Sequence, residues 1–275
     1  MVANIWLSWF NWVDAATATL DADAEAGDLV AENLRERQGY KAWRTDGLST
    51  GVTDAGITID FGQVRAVEAL AVMFPRTNDP TLYDEPADFA ATDTIRHRLS
   101  AVSAGAGELY DSGVAASGVL AGYGYHVIRL PAAVNARWWR LDLDAISRAA
   151  LGYVDVTRIW AGPVWAPNVG FSFGDGYGWG SDSSVSRASR GVAEFVDNIE
   201  PIRTWSLALD GLSDSEREEL LEFERRVTTG AQFLIARSDV AQGKGEMLAR
   251  QQQSLGMSSL AFARNSKAFR LGESL

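Results

Sequence analysis

The sequence contains no cysteine, which excludes disulfide bonds, thiolate chemistry and cysteine-ligated zinc sites. It also has no apolar run of about 18 residues, the length that a membrane-spanning helix requires. The N-terminal stretch MVANIWLSWFNWVD is apolar, but no lysine or arginine precedes Arg35. A secretory signal peptide begins with a positively charged segment. We therefore expect the protein to be made and folded in the cytoplasm, without membrane insertion.

Basic residues are fewer than acidic ones. The chain has 25 Lys and Arg against 36 Asp and Glu, a formal net charge of −11. The longest basic clusters are RER and RR, so the sequence shows no extended positive stripe. Proteins bind nucleic acids and anionic membrane surfaces through such stripes. The sequence therefore predicts that neither nucleic acid nor membrane is a partner.

Histidine is scarce as well, with only His97 and His126. Both fall in stretches predicted as strands with apolar neighbours, where a histidine more often packs than catalyses. No HExxH motif and no nucleophile elbow accompany them. A glycosidase carboxylate pair cannot be located from sequence spacing in a β protein. We therefore expect no enzyme activity, no metal site and no cofactor, although the oxygen atoms of the loop Asp79–Asp84 could bind a structural calcium ion.

Short alternating stretches dominate the chain up to Pro163. In GITIDFG, Ile57, Ile59 and Phe61 would share one face of a strand. TIRHRLSA, YHVIRLP and YVDVTRIWAG continue the pattern, with turn residues between them. This spacing predicts an antiparallel β-sandwich of jelly-roll type over residues 1–163. The absence of alternating strands and helices argues against a doubly wound nucleotide-binding fold.

Two adjacent tryptophans stand in ARWWRLDLDA. On a strand, Trp139 would share the core face with Leu141 and Leu143, whereas Trp138 would lie among charged residues on the other face. We expect Trp138 to be covered by protein. Residues 15–31, an acidic and alanine-rich segment left open between helix and loop, are one candidate cover. The second domain and a neighbouring subunit are the others.

The prolines of PVWAP at Pro163–Pro167 suggest a domain boundary, so a smaller second domain would span residues 164–275. Its first part is rich in glycine, serine and aromatic residues, which predicts a long hairpin with aromatic faces or a flexible arm. The aromatic residues there are Phe171, Phe173, Tyr177 and Trp179.

A helix over residues 213–228 is the clearest local prediction. Ser213 can cap it, and Glu216 completes a capping box. QFLIA should follow as a strand, and a hairpin should turn near Asn265–Ser266.

The turn YKAWRTDG combines an indole with polar groups that suit sugar hydroxyls. A glycan could stack on Trp43 while Arg44, Thr45 and Asp46 bind its hydroxyls. The alternative is that Trp43 anchors the turn in the core and Arg44 pairs with an acidic residue.

The first domain resembles discoidin-like (galactose-binding-like) β-sandwiches over about Ala31–Trp160. The matching pieces are AENLRERQGYKAWRTDG, ITIDFGQVRAVEALAVM, TIRHRLSA, ELYDSGV and ARWWRLDL. Members of that family bind glycans, lipids or proteins through loops at one end of the sandwich. The resemblance implies a binding role for Trp43–Asp46 and for the loop Pro75–Asp84, which includes Asn78. This chain lacks the family's bridging cysteines, and the identity of the ligand does not carry over.

The second domain resembles the ring-forming domain of distal tail proteins of long-tailed bacteriophages. The resemblance lies in RTWSLALDGLSDSEREELLEFERRVTTGAQFLIA and in the hairpin arm DSSVSRASRG. It implies a β-barrel-like domain with one helix that assembles as a ring, usually a hexamer, between the tail tube protein and the tip hub protein. Trp138, Phe171, Phe173, Tyr177 and Trp179 would then be assembly contacts.

Two main hypotheses follow. The favoured one is a structural virion protein of a phage tail tip, whose outward sandwich also contacts host-surface glycan. The alternative is a free-standing carbohydrate-binding protein with no assembly role. A glycan-cleaving enzyme is the least favoured.

Overall fold

The computed structural model is made mainly of β-strands, with one α-helix among the residues it describes, which confirms the predicted fold class. The structure describes residues 5–36, 41–45, 54–75, 89–120, 122–144, 152–170, 172, 175–180, 184–187, 194–197, 201–238, 240, 243–253, 257–261 and 264–274. Short 3-10 helices span Trp12–Asp14 and Ala31–Arg35. Among these residues, no helix is both long and apolar enough to cross a bilayer.

The chain divides into two compact units. The sandwich unit comprises Ile5–Ala166 and Phe233–Met247, and the helix unit contains Pro167–Gln232 and Leu248–Leu275. The QFLIA stretch forms a strand from Phe233 onward, and this strand, Phe233–Arg237, belongs to the sandwich unit.

Among the described residues, eleven strands lie wholly in the sandwich unit. They are β1 (Ile5–Ser8), β2 (Thr19–Ala22), β3 (Trp43–Arg44), β4 (Asp54–Met73), β5 (Thr94–Ser100), β6 (Tyr110–Asp111), β7 (Ala115–Ala116), β8 (Tyr125–Asp144), β9 (Asp155–Val156), β10 (Arg158–Gly162) and β15 (Phe233–Arg237). The main sheet runs β10-β4-β8-β5-β6, with β2 on β4 and β7 on β5. β3 pairs with β9, and β1 pairs antiparallel with β15.

The long strands β4 and β8 pair along most of their length and bend together. His126 near the start of β8 and Trp139 near its end both stack on His97 of β5, at ring-centroid distances of 5.2 and 5.8 Å. Thirteen residues of a straight strand would span about 43 Å. β8 must therefore fold back on itself, and the result is a curled β-sandwich whose two layers share the same pair of strands.

Bulges allow this bend. The β4–β8 register shifts between Asp60 and Arg65 and again between Val67 and Ala69. Gly62 lies in the first bulge with a φ of +76°, and a Cβ there would lie 2.6 Å from Thr17. Glycine is required because other residues are strained at this φ and because Thr17, packed against this position, leaves no room for a side chain.

Alternation sets the sandwich core as predicted. Ile57, Ile59 and Phe61 on β4 are fully buried, and Trp139 and Leu141 on β8 are as well. Burying side chains of this size contributes about 1.5–3 kcal/mol each. The acidic segment at 15–31 is neither a helix nor simply a loop, because it contains β2, whose residues pair with Ile57–Asp60 at the edge of β4.

The helix unit is built on a second antiparallel sheet. Its elements are β11 (Gly176–Gly180), β12 (Ser184–Arg187), β13 (Glu194–Asp197), β14 (Ile202–Leu212), α1 (Asp214–Arg226), β16 (Glu246–Gln253, whose first two residues belong to the sandwich unit), β17 (Met257–Ala261) and β18 (Arg264–Glu273). The strand order is β16-β18-β14-β11, with β17 on β18. β12 and β13 form a two-stranded sheet of their own.

Helix α1 begins as predicted. The Ser213 hydroxyl accepts the Glu216 backbone N–H, and the Glu216 carboxylate accepts the Ser213 N–H at 2.8 Å, which completes the capping box. Phe223 is buried and packs edge-on against Phe269 of β18. The amphipathic helix thus covers one face of the sheet.

The C-terminal hairpin turns earlier than predicted. Asn265 and Ser266 lie inside β18 and pair with Ser259 and Ser258 of β17. The turn prediction failed because asparagine and serine also serve in strands when their side chains find partners. Asn265 is buried, and its amide donates to the Leu212 carbonyl.

Candidate functional site

Trp43 lies in the core rather than at a binding surface. Its side chain is 0% exposed, and its indole N–H donates to the Ala24 carbonyl at 2.9 Å. The backbone pairs with Val156 through the short β3–β9 ladder. In this conformation Trp43 presents no ring face on which a sugar could stack.

Arg44 forms a cluster with residues more than a hundred positions away. Its guanidinium donates to both carboxylate oxygens of Asp155 at 2.7 Å and lies 4.0 Å from the centroid of the Tyr153 ring. The hydrogen bond to Asp155 raises the pKa of Arg44 despite its partial burial. Sequence reasoning missed Asp155 and Tyr153, because only the pairing of β3 with β9 brings them to Arg44.

Thr45 completes this turn as a structural element. It is fully buried, and its hydroxyl accepts the Val154 N–H at 2.9 Å. These contacts agree with the alternative interpretation for Trp43 and Arg44, and Thr45, which that interpretation did not include, also lies inside the fold. Asp46 and Asn78, the other expected glycan contacts, lie outside the described residues.

Trp138 is partly buried, and an arginine of its own strand covers it in part. The Arg137 guanidinium lies 5.1 Å from the Trp138 ring centroid and donates two hydrogen bonds to Asp60, at 2.9 and 2.8 Å. Those bonds hold the pKa of Asp60 below its ordinary value. This cover was not predicted, and the role of Trp138 in assembly stays a prediction.

The outer face around Trp138 is a set of ion pairs. Arg140 contacts Asp23 and donates to Asp142 at 2.8 Å, and Arg98 reaches the same Asp142 at 2.7 Å. Arg96 pairs with Asp111 on the neighbouring edge. Each arginine named here faces a carboxylate, so the face is hydrophilic and its charges are compensated.

Two aromatic side chains of β11 are exposed to solvent. Tyr177 is 72% and Trp179 49% exposed, and they share one face because a single residue separates them. The opposite face of the strand carries only Gly176, Gly178 and Gly180.

The register of β11 shows which face of the sheet these aromatics extend. Tyr177 lies opposite Trp205 of β14, and Trp179 lies opposite Arg203. Trp205 and Arg203 are both buried, at 3% exposure each. Tyr177 and Trp179 therefore continue the buried face of the sheet to its edge, where they become accessible.

Phe171 and Phe173 are predicted, together with Tyr177 and Trp179, to be assembly contacts. Both phenylalanines lie outside the described residues. Among the residues that are described, no three His, Asp or Glu side chains gather in a way that could hold a metal ion.

Comparison with known proteins gives a partial likeness of fold. No protein-family model and no curated protein matches the chain. The chain is similar to the solved module CpGH89CBM32-6 of Clostridium perfringens, at 12% identity and a TM-score of 0.40, over 55% of this chain and 98% of that one. A fucose binding module of Streptococcus pneumoniae matches at 10% identity and a TM-score of 0.37, over 56% and 94% of the two chains.

A Ruminococcus gnavus GH29 fucosidase, solved in complex with fucose, matches at 13% identity and a TM-score of 0.41. The match covers 56% of this chain but only 26% of the fucosidase. The likeness concerns fold and extends over little more than half of this chain.

Proposed function

We propose that the protein is a non-catalytic structural subunit that assembles with copies of itself into a ring, as a component of a phage tail tip. The observation that carries the proposal is the exposed pair Tyr177 and Trp179 on the glycine-rich strand β11. Large aromatic side chains on the core-side face of an edge strand favour burial against a partner. In a ring, each subunit would cover this face of its neighbour through a head-to-tail contact.

The hairpin β12–β13 supports the same proposal. In the described part of the chain it forms a two-stranded sheet of its own. An isolated two-stranded sheet is marginally stable in water. A neighbouring subunit that added strands or side chains to this arm would stabilise it. The proposed partners are therefore further copies of this chain, with a hexamer as the expected ring, and the tail tube and tip hub proteins on either side.

Assembly can be tested on the purified full-length chain. Light scattering coupled to size exclusion should report a closed oligomer, and negative-stain electron microscopy should show rings. In the double variant Tyr177→Ser, Trp179→Ser the dissociation constant of the oligomer should rise at least tenfold, because the substitutions remove the aromatic contact. The monomer should then predominate.

A matched control is Leu221→Ser on α1. Leu221 is 49% exposed, the same fraction as Trp179, but it lies on the helix surface. This variant should assemble like the wild type. A wild-type chain that remains monomeric at high concentration would refute the proposal, as would virions whose tail tips fail to bind antibodies raised against the protein.

Glycan binding is a second candidate. The same two aromatic residues are attached to one face of β11 at backbone positions about 6–7 Å apart, so neighbouring sugar units could stack on them. If so, the wild-type protein should bind on a glycan array and Trp179→Ala should abolish that binding. Arg44→Met, which alters the cluster with Asp155, is the control and should leave the binding intact. Glycan affinity without assembly would favour a free-standing carbohydrate-binding protein. Assembly with added glycan affinity would favour a tail-tip subunit that also contacts a host-surface glycan.

A further inference from the structure

The two histidines of the chain meet in the sandwich core. The rings of His97 and His126 stack with centroids 5.2 Å apart and planes 7° from parallel. Trp139 stacks on His97 as well, at 5.8 Å and 15°. His97 and Trp139 are 0% exposed and His126 is 4% exposed. The only imidazoles in 275 residues thus form one buried aromatic stack.

This stack joins separate parts of the bent sheet. His97 lies on β5, opposite Leu141 near the end of β8, whereas His126 lies near the beginning of β8, opposite Val72 of β4. Because β8 folds back between these points, the ring contact spans the interior of the curled sandwich. Weakening it would weaken the packing of one layer on the other.

The polar atoms of the stack lack partners that a charged ring would need. Neither ring nitrogen of His97 has a hydrogen-bond partner among the described residues, and neither does Nε2 of His126. Nδ1 of His126 lies 2.6 Å from the Ser117 carbonyl, so this nitrogen carries the proton and donates. A neutral His97 already leaves one N–H unmet, and protonation of either ring would add a second kind of cost, a buried charge together with a further unmet N–H donor.

Charged groups of β5 and β8 point away from the stack. Arg96 and Arg98 alternate with His97 on β5 and pair with Asp111 and Asp142 on the outer face. The neighbours of His97 on β8 are Leu141, directly opposite, and Trp139.

The segments packed on the other sides bring hydroxyls and one carboxyl. The Ser112 hydroxyl accepts the backbone N–H of His97, and Tyr110 of β6 has a pKa raised by burial. Asp93 is buried beside Ser117, where its carboxylate accepts the Ala90 N–H and its carbonyl accepts the Ser117 N–H. Burial lowers the pKa of His97 well below its ordinary value, with a further contribution from His126, and burial lowers that of His126 too.

We propose that the His97–His126 stack is an acid-sensitive contact that stabilises the closed, curled sandwich at neutral pH and leaves it less stable in mildly acidic surroundings. The unfolded chain binds a proton on each histidine below about pH 6.5, while the native stack stays neutral. Stability therefore falls as pH falls through this range. Between pH 7.5 and 5.5 the folding equilibrium constant should drop by up to about tenfold per histidine, or about a hundredfold for the pair.

Histidine NMR on the full-length wild-type protein tests the native state directly. With only two histidines, the Hε1–Cε1 spectrum should contain two native signals. Both should keep neutral-imidazole shifts from pH 8 to 5.5 while native signal remains. A native signal that titrates above pH 5.5 would overturn the proposal.

Urea unfolding at pH 7.5, 6.5 and 5.5 measures the consequence for stability. Between pH 7.5 and 5.5 the folding equilibrium constant of the wild type should fall by up to about a hundredfold. That of His97→Phe, which retains an aromatic ring but has one histidine fewer, should fall by about tenfold. His126→Phe provides the same comparison if His97→Phe does not fold.

The control is Phe89→Leu, which disrupts the stacked Phe74–Phe89 pair of the same core without removing a titratable group. It should destabilise the protein at every pH and retain the wild-type pH dependence. An equal stability of the wild type at pH 7.5 and 5.5 would also overturn the proposal.

Discussion

Trp43 and Trp179 show how differently two tryptophans of one chain can be placed. Trp43 is fully enclosed and hydrogen-bonded, and Trp179 is half exposed on an edge strand. Both stand in turn-rich, polar stretches of sequence, so composition around them does not distinguish the two. What separates them is strand pairing with distant residues, β9 for Trp43 and β14 for Trp179.

Replacing Trp43 by alanine should therefore act on stability. We expect a loss of about 3–5 kcal/mol, because the substitution leaves a large cavity and an unmet Ala24 carbonyl. Urea unfolding measures this loss, and Trp179→Ala is the control, with an expected cost of about 1 kcal/mol or less. A Trp43→Ala protein of normal stability that had lost glycan affinity would instead restore the sugar-site hypothesis.

At the scale of elements, the capping box of α1 links a local sequence motif to pH. Burial opposes ionisation of Glu216, but hydrogen bonds from the Asn168 backbone and from Ser213 outweigh it and lower the pKa of the carboxyl. A carboxyl whose pKa is lowered on folding contributes stability above its unfolded pKa. That contribution is lost as pH falls through the folded pKa.

Glu216→Gln should therefore be less stable than the wild type at pH 7, by about 1–2 kcal/mol. The difference should shrink below about pH 4.5 as the wild-type carboxyl protonates. Thermal unfolding across pH 3–7 tests this. Glu218→Gln is the matched control, since Glu218 lies on the exposed side of the same helix with 76% of its side chain accessible. A stability difference between Glu216→Gln and the wild type that does not change with pH would contradict the stabilising role given to the ionised Glu216 carboxylate.

Elements with local signals could be predicted from sequence, and elements that depend on distant partners could not. The core faces of β4, β5 and β8 follow from period-two alternation, and α1 follows from its cap. β2 escaped prediction because its four residues become a strand only by pairing with β4. The candidate site was only partly predictable for the same reason, its dependence on residues distant in sequence. Tyr177 and Trp179 could be singled out as aromatics, but their exposure and their position on the core face depend on the register with β14.

At the scale of the whole molecule, charge bears on assembly. Each copy carries a formal net charge of −11, so copies in a ring repel one another. Raising the salt concentration shortens the screening length from about 30 Å at 0.01 M to about 8 Å at 0.15 M.

Ring formation, if it rests on the aromatic face of β11, should therefore strengthen with salt at fixed protein concentration. Light scattering at the two ionic strengths measures the oligomer fraction. The Tyr177→Ser, Trp179→Ser variant should stay monomeric at both. Dissociation on adding salt would instead mean that opposite charges hold the subunits together.

The shared strand pair β4–β8 also has a consequence for how the sandwich forms in time. Its register runs from Met73 opposite Tyr125 to Asp54 opposite Asp144, so a loop of about fifty residues must close before the ladder can begin. Contacts between residues so far apart in sequence give a high contact order, and β proteins of that kind fold in milliseconds to seconds. We therefore expect the sandwich unit to be slow to fold, with β5 pairing with β6 and β8, its nearer partners in sequence, before the β4–β8 ladder is complete.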